Sequence, residues 1–264
     1  MKLEQRSLGQ SGIIISCLGL GTVKFGRNHQ VKYPEKFSLP SLKELEGILN
    51  KTSALGINFL DTAPAYGSSE ERIGRVLRDR SDWIICTKVG EEFANGQSSF
   101  NFSGRHAQKS VERSLKNLKT DYLDIVLVHS NGDDEAIIDN TDCLETLARL
   151  KEKGIIRAYG MSTKTVKGGI RAADLTDVVM VTLNPSNKED MPVIKKAESK
   201  NKGVLVKKAL NSGRLSEYSL EKNLNFVLST SGVTSIVVGT INQKHLATNV
   251  AIINSASSEY TSGK

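Results

Sequence analysis

The 264-residue sequence lacks the features of a disulfide-rich, metal-binding or membrane-anchored protein. Its three cysteines are odd in number and far apart, which argues against a disulfide framework and against a cysteine metal site. No apolar run approaches the roughly 18 residues of a membrane-spanning helix, and the first residues are too polar for a secretory signal. We therefore expect a cytoplasmic protein with no bound metal and no membrane partner.

Aromatic residues are also scarce, at 5% of the chain, while the net charge is +7. This charge favours anionic partners, such as nucleic acid, a membrane surface or a phosphorylated cofactor. The basic residues are spread through the sequence, and no dense Lys/Arg run is interleaved with aromatics, as a nucleic-acid interface would need. We expect no nucleic-acid partner.

Most of the sequence follows a repeated unit. The unit is a short β-branched run, a turn and then a longer amphipathic stretch, and it recurs roughly every 30 residues. The candidate strands are nearly continuously apolar, which is typical of a parallel sheet covered on both faces. They lie at residues 16–22, 57–63, 83–89, 123–130, 156–162, 177–184, 203–209 and 234–240. Eight such units predict a closed (β/α)8 TIM barrel formed by residues 1–264 as one domain, with an open doubly wound sheet as the alternative.

Four further segments lie outside the repeat. Residues 3–16 predict a β-hairpin around Gly9 and Gly12 that covers the bottom of the barrel. The connections at 24–40 and 90–104 are long and are interpreted as binding loops. The small polar residues at 255–264 predict a frayed tail.

Four side chains of catalytic type follow three consecutive candidate strands. Asp61 ends the second strand and Tyr66 comes shortly after it, while Lys88 and His129 end the third and fourth. Each alone has a structural explanation: a turn acceptor, a packed ring, a rim charge or a core histidine. Because barrel active sites lie at the carboxyl ends of strands, the four together predict one catalytic site.

The segments NFLDTAPAYG, IICTK and DIVLVHS resemble the catalytic tetrad of the aldo-keto reductase superfamily, and the chain resembles a compact bacterial branch of it. The resemblance extends from GLGT at 19–22 to GTINQKHLATN at 239–249. It implies reduction of a small aldehyde or ketone. Hydride addition builds negative charge on the carbonyl oxygen, so a proton donor is needed. We assign that role to Tyr66, with its pKa lowered by Lys88, Lys88 held by Asp61, and the carbonyl oriented by His129.

The resemblance also implies a nicotinamide cofactor, for which we expect NADPH, with NADH as the alternative. Many relatives carry an aromatic where this chain has Lys207, a glutamine at Met180 and an arginine at His245. The implied cofactor-binding residues are Gly21, Thr22, Asp61, Ser162, Thr163, Lys207, Gly239, Thr240, Asn242, His245 and Asn249.

Two other functions stay open at the level of sequence. A strand-end lysine such as Lys88 can form a Schiff base, as in an aldolase. A barrel that keeps only its nucleotide site can serve as a redox-sensing or partner-binding subunit. For the substrate pocket we expect an open mouth with aromatic walls, formed by Phe25, Phe93, Phe100, Phe102 and Trp83 or their neighbours. The alternative is that these rings only pack their own loops, and for Trp83 this alternative is favoured.

Overall fold

The computed structural model describes residues 3–213 and 218–262. Strands and helices alternate along most of the chain. The strands are β1 (Gln5–Ser7), β2 (Ile14–Ser16), β3 (Leu18–Gly21), β4 (Phe59–Asp61), β5 (Ile84–Val89), β6 (Glu91–Ala94), β7 (Gln97–Phe100), β8 (Leu123–His129), β9 (Ile156–Ser162), β10 (Val178–Thr182), β11 (Gly203–Lys207) and β12 (Ser235–Gly239). The helices are α1 (Val23–Gly26), α2 (Leu42–Ala54), α3 (Ser69–Val76), α4 (Gly104–Leu118), α5 (Asp134–Asn140), α6 (Cys143–Glu152), α7 (Val166–Leu175), α8 (Met191–Ser199), α9 (Leu220–Leu228) and α10 (Gln243–Ser262).

Eight of these strands form a closed parallel barrel in the order β3, β4, β5, β8, β9, β10, β11 and β12, with β12 pairing back onto β3. The predicted (β/α)8 barrel is confirmed, and the open-sheet alternative is wrong. The register sets Gly21 opposite both Gly239 and Asp61, so the carboxyl ends of these neighbouring strands lie at the same level of one rim.

The continuous apolar character of the strands follows from burial on both faces. In β8, Ile125 and Leu127 belong to the cluster that fills the barrel interior. The alternate residues Val126 and Val128 belong to the cluster shared with the surrounding helices. Because successive side chains in a strand point to opposite faces, an apolar residue is needed at every position.

The predicted hairpin closes the other end of the barrel. Strands β1 and β2 pair antiparallel, and Leu8, Ile13 and Ile15 pack in the interior cluster. Gly9 has φ +54, and a Cβ there would lie 2.5 Å from the carbonyl oxygen of Asn201. This hairpin is therefore confirmed, with Gly9 required at a turn that touches the barrel wall.

Helix α2 shows how local sequence sets the helices. Ser41 and Glu44 form a reciprocal capping box at its start, with the Glu44 carboxylate 2.7 Å from the Ser41 backbone nitrogen. Leu45 and Ile48 are buried on the face turned to the barrel. Gly56, with φ +82, follows the helix and allows the left-handed turn into β4.

Residues 90–104, interpreted from sequence as a long loop, contain the antiparallel hairpin β6–β7. Its turn is made by Asn95 and Gly96, which have φ 52 and 76. Asn-Gly between short strands is the usual signal of such a turn, because both central residues of a type I′ turn need positive φ.

Helix α10 extends to Ser262, so residues 255–262 of the predicted frayed tail are helical, while residues 263 and 264 lie outside the described residues. Across the described ranges, no helix is both long and apolar enough to cross a bilayer.

Candidate active site

A cavity of about 1020 Å³ opens at the carboxyl ends of the barrel strands. Asp61 closes β4, Lys88 lies near the end of β5 and His129 closes β8. Tyr66 ends the 3-10 turn Pro64–Tyr66, which begins directly beyond β4. All four predicted catalytic side chains line this cavity, so the structure brings them together.

Lys88 is the centre of the cluster. Its Nζ donates to Asp61 Oδ1 at 2.6 Å, to the Thr62 carbonyl oxygen at 2.9 Å and to the Tyr66 hydroxyl at 3.2 Å. The Tyr66 hydroxyl in turn lies 3.3 Å from Asp61 Oδ2. The side chains of Lys88 and Asp61 are only 1% and 5% exposed, so this is a buried ion pair.

The protonation states follow from these contacts. Burial alone lowers the pKa of Lys88, but the Asp61 carboxylate beside it, with Tyr66 and Cys86, raises that pKa above its usual value. Such an ammonium is a poor nucleophile, which argues against a Schiff base at Lys88.

Tyr66 differs from the expectation drawn from sequence. Burial, followed by the charge of Asp61, raises the pKa of its phenol, and Lys88 only partly offsets them. The net direction is therefore opposite to the one predicted, because the burial of the phenol was not visible in the sequence. The phenol is held neutral, which is the state a proton donor requires.

His129 has a partner that the sequence did not predict. Its Nδ1 lies 2.9 Å from Glu91 Oε2, and the two rings of Tyr66 and His129 meet edge to face at 6.3 Å. Burial lowers the pKa of His129 and Glu91 opposes this effect. Burial also raises the pKa of Glu91, but His129, Ser98 and Arg27 together lower it to about 2.

Most of the predicted cofactor residues line the same cavity. Gly239 has no side chain at the rim, and a Cβ added there would lie 2.4 Å from the Tyr33 hydroxyl oxygen. The first turn of α10 has no acidic residue but carries Lys244 and His245, a combination that suits an anion at the helix N-terminus. These features fit a nucleotide with phosphate groups. The lining residues among those predicted are Gly21, Asp61, Ser162, Thr163, Lys207, Gly239, Thr240, His245 and Asn249.

Two predicted cofactor residues do not line the cavity. Thr22 is buried, and its hydroxyl donates to the Asp61 carbonyl oxygen at 2.9 Å. Asn242 precedes α10, and its Oδ1 accepts from the backbone nitrogen of Lys244 at 2.9 Å. Both positions therefore have local structural contacts: Thr22 fixes the end of β4, and Asn242 binds a free N–H of the first helical turn.

Lys207 projects from the end of β11 into the cavity. Its Nζ donates to Ser162 Oγ and to the Thr163 carbonyl oxygen, both at 2.8 Å. Burial and the neighbouring Lys208 and Lys88 lower the pKa of Lys207 to about 7, against the opposing charge of Asp190. This lysine therefore differs from Lys88, which keeps its proton.

A second tyrosine was missed by sequence reasoning. Tyr33 lies on the segment after α1 and lines the cavity beside Tyr66. Lys24 Nζ lies 4.2 Å from the centroid of its ring. Burial, followed by the Asp61 charge, raises the pKa of Tyr33 to about 12. The length of the connection at 24–40 was the only sequence signal for it.

The aromatic walls expected for the substrate pocket are only partly present. Phe100 lines the cavity, and Phe102 stacks on it at 6.1 Å. Phe93 packs under the Arg27 guanidinium at 3.6 Å. Phe25 and Trp83 are buried in the core between barrel and helices, so the assignment of Phe25 to the pocket was wrong, while Trp83 has the packing role that its alternative predicted.

A closed (β/α)8 barrel with a polar cavity at its carboxyl rim places the protein among barrels whose active sites are built from the strand ends. A family model described as the aldo/keto reductase family matches residues 17–225. Since this match covers well over half of the chain, the protein belongs to the aldo-keto reductase family.

Individual relatives agree with the family. A Pseudomonas aeruginosa protein, provisionally named an aldo-keto reductase, has a crystal structure that is 48% identical, with a TM-score of 0.88 over 96% of this chain and 95% of that one. The uncharacterized oxidoreductase YqkF of Bacillus subtilis is 28% identical across 96% of this chain and 92% of its own length. L-galactose dehydrogenase of Arabidopsis thaliana is 32% identical, over 61% of this chain and 49% of its own length. The chain is an NAD(P)H-dependent oxidoreductase.

Proposed function

We propose that the protein reduces small aldehydes or ketones to alcohols with NADPH, and that Tyr66 donates the proton. The observation that carries the proposal is the contact of one neutral phenol with both Lys88 and Asp61 in the cavity. When bound, NADPH supplies the hydride for the carbonyl carbon. The protein must then supply a proton to the carbonyl oxygen and stabilise the charge that develops there.

Each side chain has a separate role in this proposal. Tyr66 is neutral in the resting site, so its O–H is available to the substrate oxygen. The Lys88 ammonium at 3.2 Å stabilises the phenolate that forms when the proton leaves. Asp61 holds that ammonium in place through the 2.6 Å ion pair. His129, positioned by Glu91, faces the same space and orients the carbonyl group.

The proposed cofactor site uses the cavity-lining residues of β3, β9, β11, β12 and α10. We propose a preference for NADPH because Lys244 and His245, in the first turn of α10, and Lys208, in the cavity wall, can each donate a hydrogen bond to a 2′-phosphate. Steady-state KM values for NADPH and NADH test this preference. Replacing Lys244 and His245 by alanine together should raise the KM for NADPH more than that for NADH, and equal effects would contradict it.

The test of the proton donor is Tyr66→Phe, assayed by NADPH absorbance with a panel of small aldehydes. Because a positioned general acid contributes about 10²- to 10⁴-fold, kcat should fall by that factor. Nucleotide binding, measured by calorimetry, should be kept. Tyr122→Phe is the matched control, since Tyr122 precedes β8 at the opposite end of the barrel and should leave kcat unchanged.

Tyr33, the second tyrosine of the cavity, provides a further control for this experiment. Tyr33→Phe removes a hydroxyl from the same cavity without touching the Lys88 contact. If Tyr33→Phe abolished turnover and Tyr66→Phe did not, the proton donor would be misassigned. If the parent bound nucleotide but reduced no carbonyl compound, the alternative of a non-catalytic nucleotide-binding subunit would be favoured.

A further inference from the structure

The proton transfer proposed above makes no use of the Lys207 amine, which lies in the proposed cofactor site and is the most unusual group in the cavity. Its side chain is half-buried at the end of β11, and it lines the cavity. The two hydrogen-bond partners of Nζ are neutral oxygens, of Ser162 and Thr163. Within the described part of the chain, Lys207 forms no ion pair. It is therefore a lysine without a carboxylate to hold its proton.

We propose that Lys207 is a carbonyl-reactive amine, which condenses reversibly with small aldehydes or ketones that enter the cavity to form an imine. Two conditions are needed for this chemistry: an unprotonated amine, and access to a carbonyl carbon. A lysine next to another cationic group, in partly dry surroundings, meets the first condition. The position of Lys207 in the wall of the cavity meets the second.

The groups around Lys207 set its protonation. Burial and the ammonium groups of Lys208 and Lys88 lower its pKa to about 7, while carboxylates oppose this shift. About half of the amine is then neutral at pH 7, compared with roughly one in 2,500 for a free lysine with a pKa near 10.4. The charged and titratable groups facing Lys207 are Lys208 beside it, Lys88 on β5, His129 on β8, Asp134 on α5 and Asp190 before α8.

The reaction balances without any oxidant or reductant. The Nζ lone pair forms a bond to the carbonyl carbon, the carbonyl oxygen takes up a proton, and the nitrogen loses one. The nitrogen of this carbinolamine then loses its second proton and forms a double bond to the carbon. The carbon–oxygen bond breaks, and the hydroxyl takes up a proton and leaves as water. Ser162 Oγ, 2.8 Å from Nζ, is positioned to pass a proton between nitrogen and oxygen.

The same geometry separates Lys207 from Lys88. Lys88 is paired with Asp61 at 2.6 Å and keeps its proton, so it has no free lone pair. From the sequence, a Schiff base at Lys88 was only an alternative, raised because Lys88 ends a strand. The contacts assign that chemistry to Lys207 instead.

The experiment uses the full chain without nucleotide, glycolaldehyde as the probe, and cyanoborohydride to reduce any imine to a stable secondary amine. Peptide mass mapping then locates the adducts. At pH 7, Lys207 should be labelled roughly a hundredfold faster than the exposed Lys36, since lower basicity offsets part of the gain in free amine. Labelling of Lys207 at the rate of Lys36, or preferential labelling of Lys88, would overturn the proposal.

Two variants complete the test. Lys207→Arg keeps the positive charge but has no reactive amine, so it should lose the fast adduct while Lys36 is labelled as before. Lys208→Gln removes a neighbouring charge, so the pH midpoint of labelling should move upward from about 7. A midpoint that is unchanged or lower in Lys208→Gln would contradict the proposal. No nucleotide is present, so this result does not depend on that of Tyr66→Phe.

Discussion

Removing one partner of the ion pair between Lys88 and Asp61 should greatly lower the stability of the barrel. Its two side chains are almost fully buried and meet at 2.6 Å. Lys88→Met removes the cation and leaves a buried carboxylate beside the Tyr66 hydroxyl. Breaking such a pair from one side costs about 3–5 kcal/mol, because the remaining charge has no partner. That is a large part of the about 5–15 kcal/mol by which most domains are stable.

The double variant separates pairing from packing. Asp61→Asn with Lys88→Met leaves a neutral pair of similar volume, and replacing both members of a buried pair is often nearly neutral. We therefore expect the free energy of unfolding to fall much less in the double variant than the sum of its falls in the two single variants. The difference is the coupling energy, which should be at least about 2 kcal/mol for contacting residues of this kind.

Urea unfolding followed by circular dichroism measures these free energies, with equal m values required for each comparison. The matched control is Lys167→Met, since Lys167 and Glu135 form an ion pair at 3.4 Å with side chains 81% and 44% exposed. Exposed pairs contribute about 0–1 kcal/mol. If Lys88→Met cost no more than Lys167→Met, or if the two single effects were additive, the reasoning would be refuted.

Three further predictions concern the cavity and its rim. Glu91→Gln should lower the pKa of His129 further, because the Glu91 carboxylate opposes the effect of burial; an unchanged NMR titration of His129 would contradict this. Lys207 has a folded-state pKa of about 7, so the unfolded chain binds more protons between about pH 7 and 10, and this group makes stability rise with pH. Lys207→Met should remove that rise in the free energy of unfolding, measured with urea at pH 7 and at pH 9. If the free energy changed equally between these pH values in the parent and in Lys207→Met, the prediction would be disproved. Gly96→Ala, at φ 76, should lower the free energy of unfolding by about 1 kcal/mol.

Sequence reasoning succeeded where a local pattern is tied directly to geometry. Continuous apolar runs predicted parallel strands, and strand ends predicted a shared rim, so Asp61, Lys88 and His129 were placed correctly in one cavity. It failed where the partner is distant in the chain. Glu91 starts the β6–β7 hairpin just beyond β5, and it contacts His129 because β5 pairs with β8 in the barrel. The Asn95–Gly96 turn was a readable signal for that hairpin, but its docking was not.

The pKa of a phenol or of an amine depends on its burial and on several nearby charges at once, and neither can be read from the sequence. Thus Lys88 was rightly expected to favour the phenolate of Tyr66, yet burial and Asp61 outweigh it. Lys207 was identified as an unusual residue at its position, but its low pKa depends first on burial and then on charges that include Lys88 from another strand, and neither could be predicted from the sequence.

The sequence by itself determined the barrel, the hairpin at its base and the residues gathered at its rim, because hydrophobic periodicity and strand ends are local properties of the chain. Only the tertiary structure decided which amine keeps its proton, where the second tyrosine lies and what orients His129. These depend on distances of a few ångströms between segments far apart in sequence, and electrostatic energies change steeply over such distances.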